Sequence, residues 1–427
     1  MPDKKTDQYK ITSEDEFLKF TQSDGHIENI SEILVTNITF KGNVEGVSIL
    51  NVPSIRFSHC AFNGNLEVVR IKTDNMVIDN CIFSGTAYFN GISANSLTLD
   101  KCIFSGYSPI IFSSIQVLTI ESTFEKLFIG DSDIKTLFFN SNISGQVDID
   151  EGTIETLRFS STIENSGEVN IKRLRVNHID FKYFTNHGIL NIQTINRREK
   201  PDQNLSSSLS LLSADLGSAT FLDFDFNSFK EICIESVKIS KIGIYGISFP
   251  ANSKRIFTGD LFEEKGKDAS KLYELYNQLH VIMQRQGHRV NELLYYAEFM
   301  EWHLKDLWRK KENWPMITSL VLNKVSTNYG QSWLQGAVGT FIIAWAFYFL
   351  YTISLPGVNI SLDNANWNDT TFFIGEYFNF LNPAHKVDFM KDLPPNWIAS
   401  IWDFFGRIAV GFMIYQTISA FRRFGIR

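Results

Sequence analysis

Two ionisable residues, Asp403 and Arg407, stand one helical turn apart inside the otherwise apolar stretch 397–421. They share a helix face with Gly406, Val410, Ile414 and Thr417. An ionisable group deep in a membrane segment costs about 2.5–3.5 kcal/mol on insertion scales unless it is paired or faces water. Two arrangements fit. Either the residues form an i,i+4 ion pair near the outer interface, where the cost is small, or their face lines an aqueous path shared by several copies of the chain.

A second candidate lies upstream. Residues 119–168 carry ten acids against three bases. The next stretch, 172–200, carries Lys172, Arg173, Arg175, Lys182, Arg197, Arg198 and Lys200 against Asp180 and Glu199. This is either a solvated face of mixed sign or a site for an anionic ligand such as a nucleotide or oligonucleotide phosphate. Cys60, Cys81 and Cys102 fall at 21-residue steps without the paired C-x-x-C spacing of a zinc site. A ladder of buried thiols is expected instead. His280, His288 and His303 belong to no ligand motif and read as surface or interface histidines. With no nucleophile, paired acid and base or metal constellation, and no dinucleotide or haem motif, no enzymatic activity and no cofactor are expected.

The elements that would position these residues are legible as repeats and runs. Cys60-Ala-Phe-Asn-Gly64 returns as Cys81-Ile-Phe-Ser-Gly85 and Cys102-Ile-Phe-Ser-Gly106, with weaker copies at Ser122, Ser141 and Ser161. Ahead of each stands an alternating pair: Ile55/Phe57, Met76/Ile78, Leu97/Leu99, Leu118/Ile120, Leu137/Phe139, Leu157/Phe159. Period-2 pairs at a fixed step of about 20 residues mean short strands feeding one interior. The expected fold is a right-handed parallel β-helix of about eleven coils over 28–256, stacked about 4.8 Å apart. Residues 1–27 read as its N-terminal cap.

From residue 257 the period changes to helical, and 257–324 reads as a helical hairpin neck ending in Trp308-Arg-Lys-Lys311. Residues 325–427 read as a transmembrane domain. No charged residue occurs between Lys324 and Asp363. About 20 apolar residues cross a hydrocarbon core, so spans are expected at about 334–355 and 397–421, with an external loop at 356–396. Within that loop the aromatic segment 371–390 is too short to cross and suits a re-entrant or interfacial helix. Gly336, Thr340 and Ala344 form a small-residue stripe for close helix packing. Both spans have basic flanks, at Arg309, Lys310, Lys311 and Lys324 and at Arg422, Arg423 and Arg427. The positive-inside rule then puts both ends in the cytoplasm. The N-terminus has no apolar signal-peptide core, and four cysteines do not make a disulfide scaffold.

The window 214–233 divides into ADLGS, ATFLD, FDFNS and FKEIC, with Leu216, Phe221 and Phe226 central in the first three. It resembles the pentapeptide-repeat family, with the rest of the head as a degenerate relative. The motifs Asn328-Tyr-Gly-Gln-Ser-Trp333, Asn382-Pro-Ala-His-Lys-Val-Asp-Phe389 and Tyr415-Gln-Thr-Ile-Ser-Ala-Phe-Arg-Arg-Phe424 resemble those of bacterial pentapeptide-repeat membrane proteins with two C-terminal spans. A soluble sensor joined to two spans is also similar to anti-phage membrane effectors of the Hailong type. That resemblance implies a homotetramer in the bacterial inner membrane, ion flux on activation, and a nucleotide or single-stranded DNA ligand on the basic part of the head. A ligand-gated ion channel is therefore expected, with a membrane-anchored protein-binding scaffold as the alternative.

Overall fold

The computed structural model describes residues 8–22, 30–195, 207–246, 249–250, 253–259, 267–356, 367–386 and 395–425. They divide into two compact units, Met1–Asn291 and Glu292–Arg427.

The first unit is a parallel β-solenoid of about 11 turns. Its register stacks like on like. Ile33, Ile55, Met76, Leu97 and Leu118 form one column of paired positions, and all five are buried. The alternating pairs seen in the sequence are these columns, because residues i and i+2 of a strand face the same side. At a corner of the coil, Phe40, Phe62, Phe83, Phe104 and Phe124 stack with ring centroids 4.5–4.8 Å apart and planes within 8° of parallel. That spacing equals the distance between hydrogen-bonded strands, so the backbone and the rings reinforce one another.

The cysteines form the expected ladder. Cys60, Cys81 and Cys102 are buried and free, and the Cys60 N–H donates to Cys81 Sγ at 3.4 Å. The ladder continues chemically through Ser122, whose hydroxyl accepts from the Cys102 N–H at 3.0 Å. Hydrogen bonds with Cys102 and Cys60, together with burial, hold the Cys81 thiol far above its usual range.

The chain turns its corners in the left-handed region mostly with residues other than glycine. Gly91, Phe112, Asp131, Glu151, Arg173 and Thr194 stack in consecutive coils with φ between 46° and 66°. A second corner uses His59, Asn80 and Lys101, φ 51–52°, immediately before each cysteine. A left-handed non-glycine residue costs about 1–2 kcal/mol. Hydrogen bonds between coils offset this, such as His59 N–H to the Asp79 carbonyl at 3.1 Å and Asn80 N–H to Asp100 at 3.0 Å.

Both open ends are covered. Helix α1 (Glu14–Gln22) sets Phe17 edge-on against Phe40 and Phe57, at 5.3 and 5.8 Å. Helix α2 (Ala269–Gln286) closes the other end with a side chain that mimics a strand. Gln278 Oε1 accepts from the Ile239 N–H at 2.7 Å, and its Nε2 donates to the Val237 carbonyl at 3.0 Å. Arg285 reaches the Ile242 carbonyl, and Lys271 pairs with Glu235. An uncovered sheet end would be a template for another chain.

The second unit is helical: α3 (Arg289–Lys310), α4 (Trp314–Thr327), α5 (Trp333–Ile353), α6 (Trp367–Phe380) and α7 (Trp397–Gly425). Helix α4 falls at the end of what reads as the neck and is a separate helix, started by Pro315 in its first turn. Helices α5 and α7 are long and apolar enough to cross a membrane, with mean hydropathy 1.6 and 1.4. They run antiparallel. Trp333 meets Phe421 at one end, and Asn396 donates to the Ser354 carbonyl at the other. The small-residue stripe faces this contact: Gly336, Thr340 and Ala344 are buried, and a Cβ on Gly336 would lie 2.6 Å from Thr417 Oγ1. Trp345, in the middle of α5, is 59% exposed.

Removing one ring from the stack tests how far the solenoid depends on it. Phe83→Ala should cost about 3–5 kcal/mol, seen as unfolding at lower urea concentration when the β-sheet circular dichroism of the full chain is followed.

Candidate functional site

The polar centre of the second unit is built on Asp403, only 2% exposed. Arg407, one turn along α7, holds Asp403 Oδ2 with Nε at 2.9 Å and Nη2 at 2.8 Å. The other oxygen, Oδ1, meets Nε2 of His385 at 2.7 Å, across a sequence separation of 18 residues. Nδ1 of His385 lies 2.6 Å from the Asn382 carbonyl. A carbonyl only accepts, so Nδ1 carries a proton. A second proton must then lie between Nε2 and the carboxylate. The His385–Asp403 pair is neutral as a unit, and with Arg407 the cluster carries one positive charge.

His385 reaches this position because the end of α6 and the turn after it lie against α5 and α7. The end of α6 packs against the middle of α5: Tyr377 donates to the Phe341 carbonyl at 2.8 Å, and Phe380 is buried against Tyr348 and Tyr351. Gly406 makes room, since a Cβ there would lie 2.7 Å from Phe380. The turn 381–386 follows, closed by Asn382 Oδ1 accepting from the Ala384 N–H. Pro383 comes 3.9 Å from where a Gly411 Cβ would be. Phe341 lies about 18 Å along α5 from Ile353, and Gly411 about 21 Å along α7 from Trp397, at 1.5 Å per residue. The segment leaves α5 and rejoins α7 at the same end, where Asn396 bonds to Ser354. It is therefore re-entrant with respect to these two helices. Asn382, Ala384 and Lys386 are exposed on the surface of the unit.

The remaining sequence candidates divide clearly. On α7, Asp403, Gly406 and Val410 are buried within their own unit, while Arg407, Ile414 and Thr417 are half-buried. The outer face presents Phe404, Phe405, Ile408, Tyr415 and Ile418. In the solenoid, the parallel register sets Lys172 beside Asp150, in a shallow depression that also holds Asp148 and Glu168. Arg173 pairs with Asp150 at 2.5 Å and with Glu151 at 3.0 Å. Arg175 is exposed, and Lys182 lies over the Tyr183 ring at 5.7 Å. Arg197, Arg198 and Lys200 lie outside the described residues. Among the described residues, no cluster of His, Cys, Asp and Glu could hold a metal ion.

A second polar junction, which sequence reading missed, clamps the elbow between α4 and α5. Tyr329 donates to Glu301 of α3 at 3.2 Å, and Lys324 pairs with the same carboxylate at 2.8 Å. From α7, Arg423 donates to the Tyr329 carbonyl at 3.2 Å and lies over the Tyr296 ring. Burial raises the Glu301 pKa, but the Lys324, Lys305 and Tyr329 contacts outweigh it, and the net shift is downward. Burial, then the Glu301 charge, pushes the Tyr329 phenol up.

Two predictions follow from these contacts. Asp403→Ala leaves Arg407 and His385 without their acceptor and should destabilise the unit by about 3–5 kcal/mol, with Asp403→Asn milder, in thermal unfolding of the detergent-solubilised chain. At Glu301 the folded pKa is depressed, so its contribution is present above the ordinary carboxyl value of 4.5 and lost as pH falls through the lower folded value. Glu301→Gln should flatten the acid limb of the stability profile below about pH 4.5, with little change in its slope near neutrality.

Comparison with protein families, with curated proteins and with solved structures finds no match to this chain.

Proposed function

We propose that the protein is a homo-oligomeric membrane channel whose conducting path passes the re-entrant turn 381–386 and is gated through the β-solenoid. One observation carries this reading: an irregular, polar turn lies alongside the middle of two membrane-length helices with Asn382 and Lys386 exposed. Non-helical backbone facing hydrocarbon is not tolerated, whereas backbone lining a water-filled cavity is. In a ring of copies, this surface turns toward a shared aqueous axis and the outer face of α7 toward lipid. The buried His385–Asp403–Arg407 cluster then holds the turn in place beneath the path. A homotetramer, a bacterial inner membrane, both chain ends cytoplasmic and an oligonucleotide ligand in anti-phage defence complete the reading; basic flanks support the orientation, and the resemblances support the rest.

A second reading, a membrane-anchored scaffold without conduction, is supported by the burial of Asp403, Gly406 and Val410 against their own unit, which covers three of the six positions on that face of α7.

Reconstitution of the full chain in planar bilayers separates the two. A channel gives ligand-dependent unitary currents, and Lys386→Glu shifts the reversal potential under a salt gradient by changing the charge beside the path. Bilayers that stay silent with and without added nucleotides and DNA oligomers, while the protein remains membrane-inserted, would leave only the scaffold.

A further inference from the structure

Helix α4 has two faces with different surroundings. Ile317, Leu320 and Thr327 are buried against the rest of the unit, and Lys324 is held by Glu301. The opposite face, Trp314, Thr318, Leu322 and Val325 at i, i+4, i+8 and i+11, carries no charge. Trp314, Leu322 and Val325 are 57, 48 and 65% exposed. This face continues directly into the apolar surface of a span: Gln335, in the first turn of α5, donates to the Val325 carbonyl at 2.8 Å. The exposed Trp333–Phe421 pair marks the same end of the span. At the far end of α4, Trp308 packs edge-on against Trp314 at 5.5 Å. Exposed Arg309 stands in the last turn of α3, exposed Lys311 on the turn that links it to α4, and exposed Arg422 in the last turn of the neighbouring α7.

We infer that α4 is an interfacial helix, its uncharged face seated at the headgroup–acyl boundary beside α5, and that Arg309, Lys311 and Arg422 bind acidic phospholipid there. A helix with an apolar face and basic flanks at the level where a span begins meets both demands of that boundary. A neutral protein partner would satisfy the face but not the bases. The inference rests on insertion of α5 and α7, not on conduction, so it survives if the bilayers above are silent.

The test uses the full chain in nanodiscs of phosphatidylcholine and phosphatidylglycerol at 3:1, with one or the other lipid brominated in its acyl chains. Tryptophan quenching is compared at equal mole fraction of brominated lipid. Wild type should show a quenched component missing from Trp314→Phe, and brominated phosphatidylglycerol should quench it several-fold more than brominated phosphatidylcholine. Arg309→Gln and Lys311→Gln should shrink that excess by up to about fivefold per base, in variants whose circular dichroism matches wild type. Identical quenching of wild type and Trp314→Phe would remove α4 from the bilayer. Equal quenching by the two lipids would remove the acidic-lipid site. Disulfide cross-linking of Leu322→Cys between copies, with no quenching difference, would make the face a subunit contact instead.

Discussion

Every backbone N–H and C=O removed from water must find a partner, and the two units meet this demand in different ways. In the solenoid each coil supplies partners for the next, so the obligation is passed along to the two ends. There α1 and α2 discharge it, α2 with the amide of Gln278 standing in for a strand's N–H and C=O. In α5 and α7 each helix satisfies itself, which is the only local solution in hydrocarbon. The turn 381–386 does neither completely. Its internal bonds, Ala384 N–H to Asn382 Oδ1 and His385 N–H to the Asn382 carbonyl, close it on itself and leave its rim exposed.

The parallel register also decides what the surface charge can do. Stacking sets residue i against its counterpart one coil on, so the acids of one coil lie beside the bases of the next. Asp150 opposes Lys172, Arg158 opposes Asp180 and pairs with it at 2.9 Å, and Arg173 closes on Asp150 and Glu151. A run of bases after a run of acids looks like segregation along the chain, yet a solenoid folds the two runs into contact. Linear charge counts overstate the field of such a surface, and Arg175 is the base of 172–175 left at the exposed rim with no acid opposite it in register: its partner is Thr153.

How much was legible follows from the range of each interaction. The inward pairs such as Met76/Ile78 and the Cys60–Cys81–Cys102 spacing are periodic, so the coils and the thiol ladder could be read directly. The corners could not, because His59, Lys101 and Phe112 adopt positive φ where turn chemistry would favour glycine or asparagine; only the neighbouring coil makes those conformations tolerable. Helix α5 showed as part of a charge-free run, and on α7 Asp403 with Arg407 showed as an i,i+4 pair in an otherwise apolar stretch. His385 did not, because no periodicity links it to Asp403 across a returning segment. Helix α4 was hidden for another reason: its one charge and apolar exposed face merge it with the run that follows, and Pro315 reads as a break before it reads as a first turn.

The His385–Asp403–Arg407 cluster joins the local and the global constraints. A lone carboxylate at Asp403, about 9 Å along a membrane-length helix from its Trp397 end, would be costly, and a lone arginine equally so. Pairing them cancels charge but leaves Oδ1 of Asp403 facing the interior, where an unsatisfied acceptor costs about 1–3 kcal/mol. The imidazole fills that position and at the same time ties the turn to α7 through the Asn382 carbonyl. The proton required between Nε2 and Oδ1 is what keeps both bonds made. Were it lost, an imidazole lone pair would face a carboxylate at 2.7 Å, and the turn would lose its tether to α7. The same three residues that make the buried charge tolerable thereby fix the only irregular backbone that the described residues place beside the middle of α5 and α7.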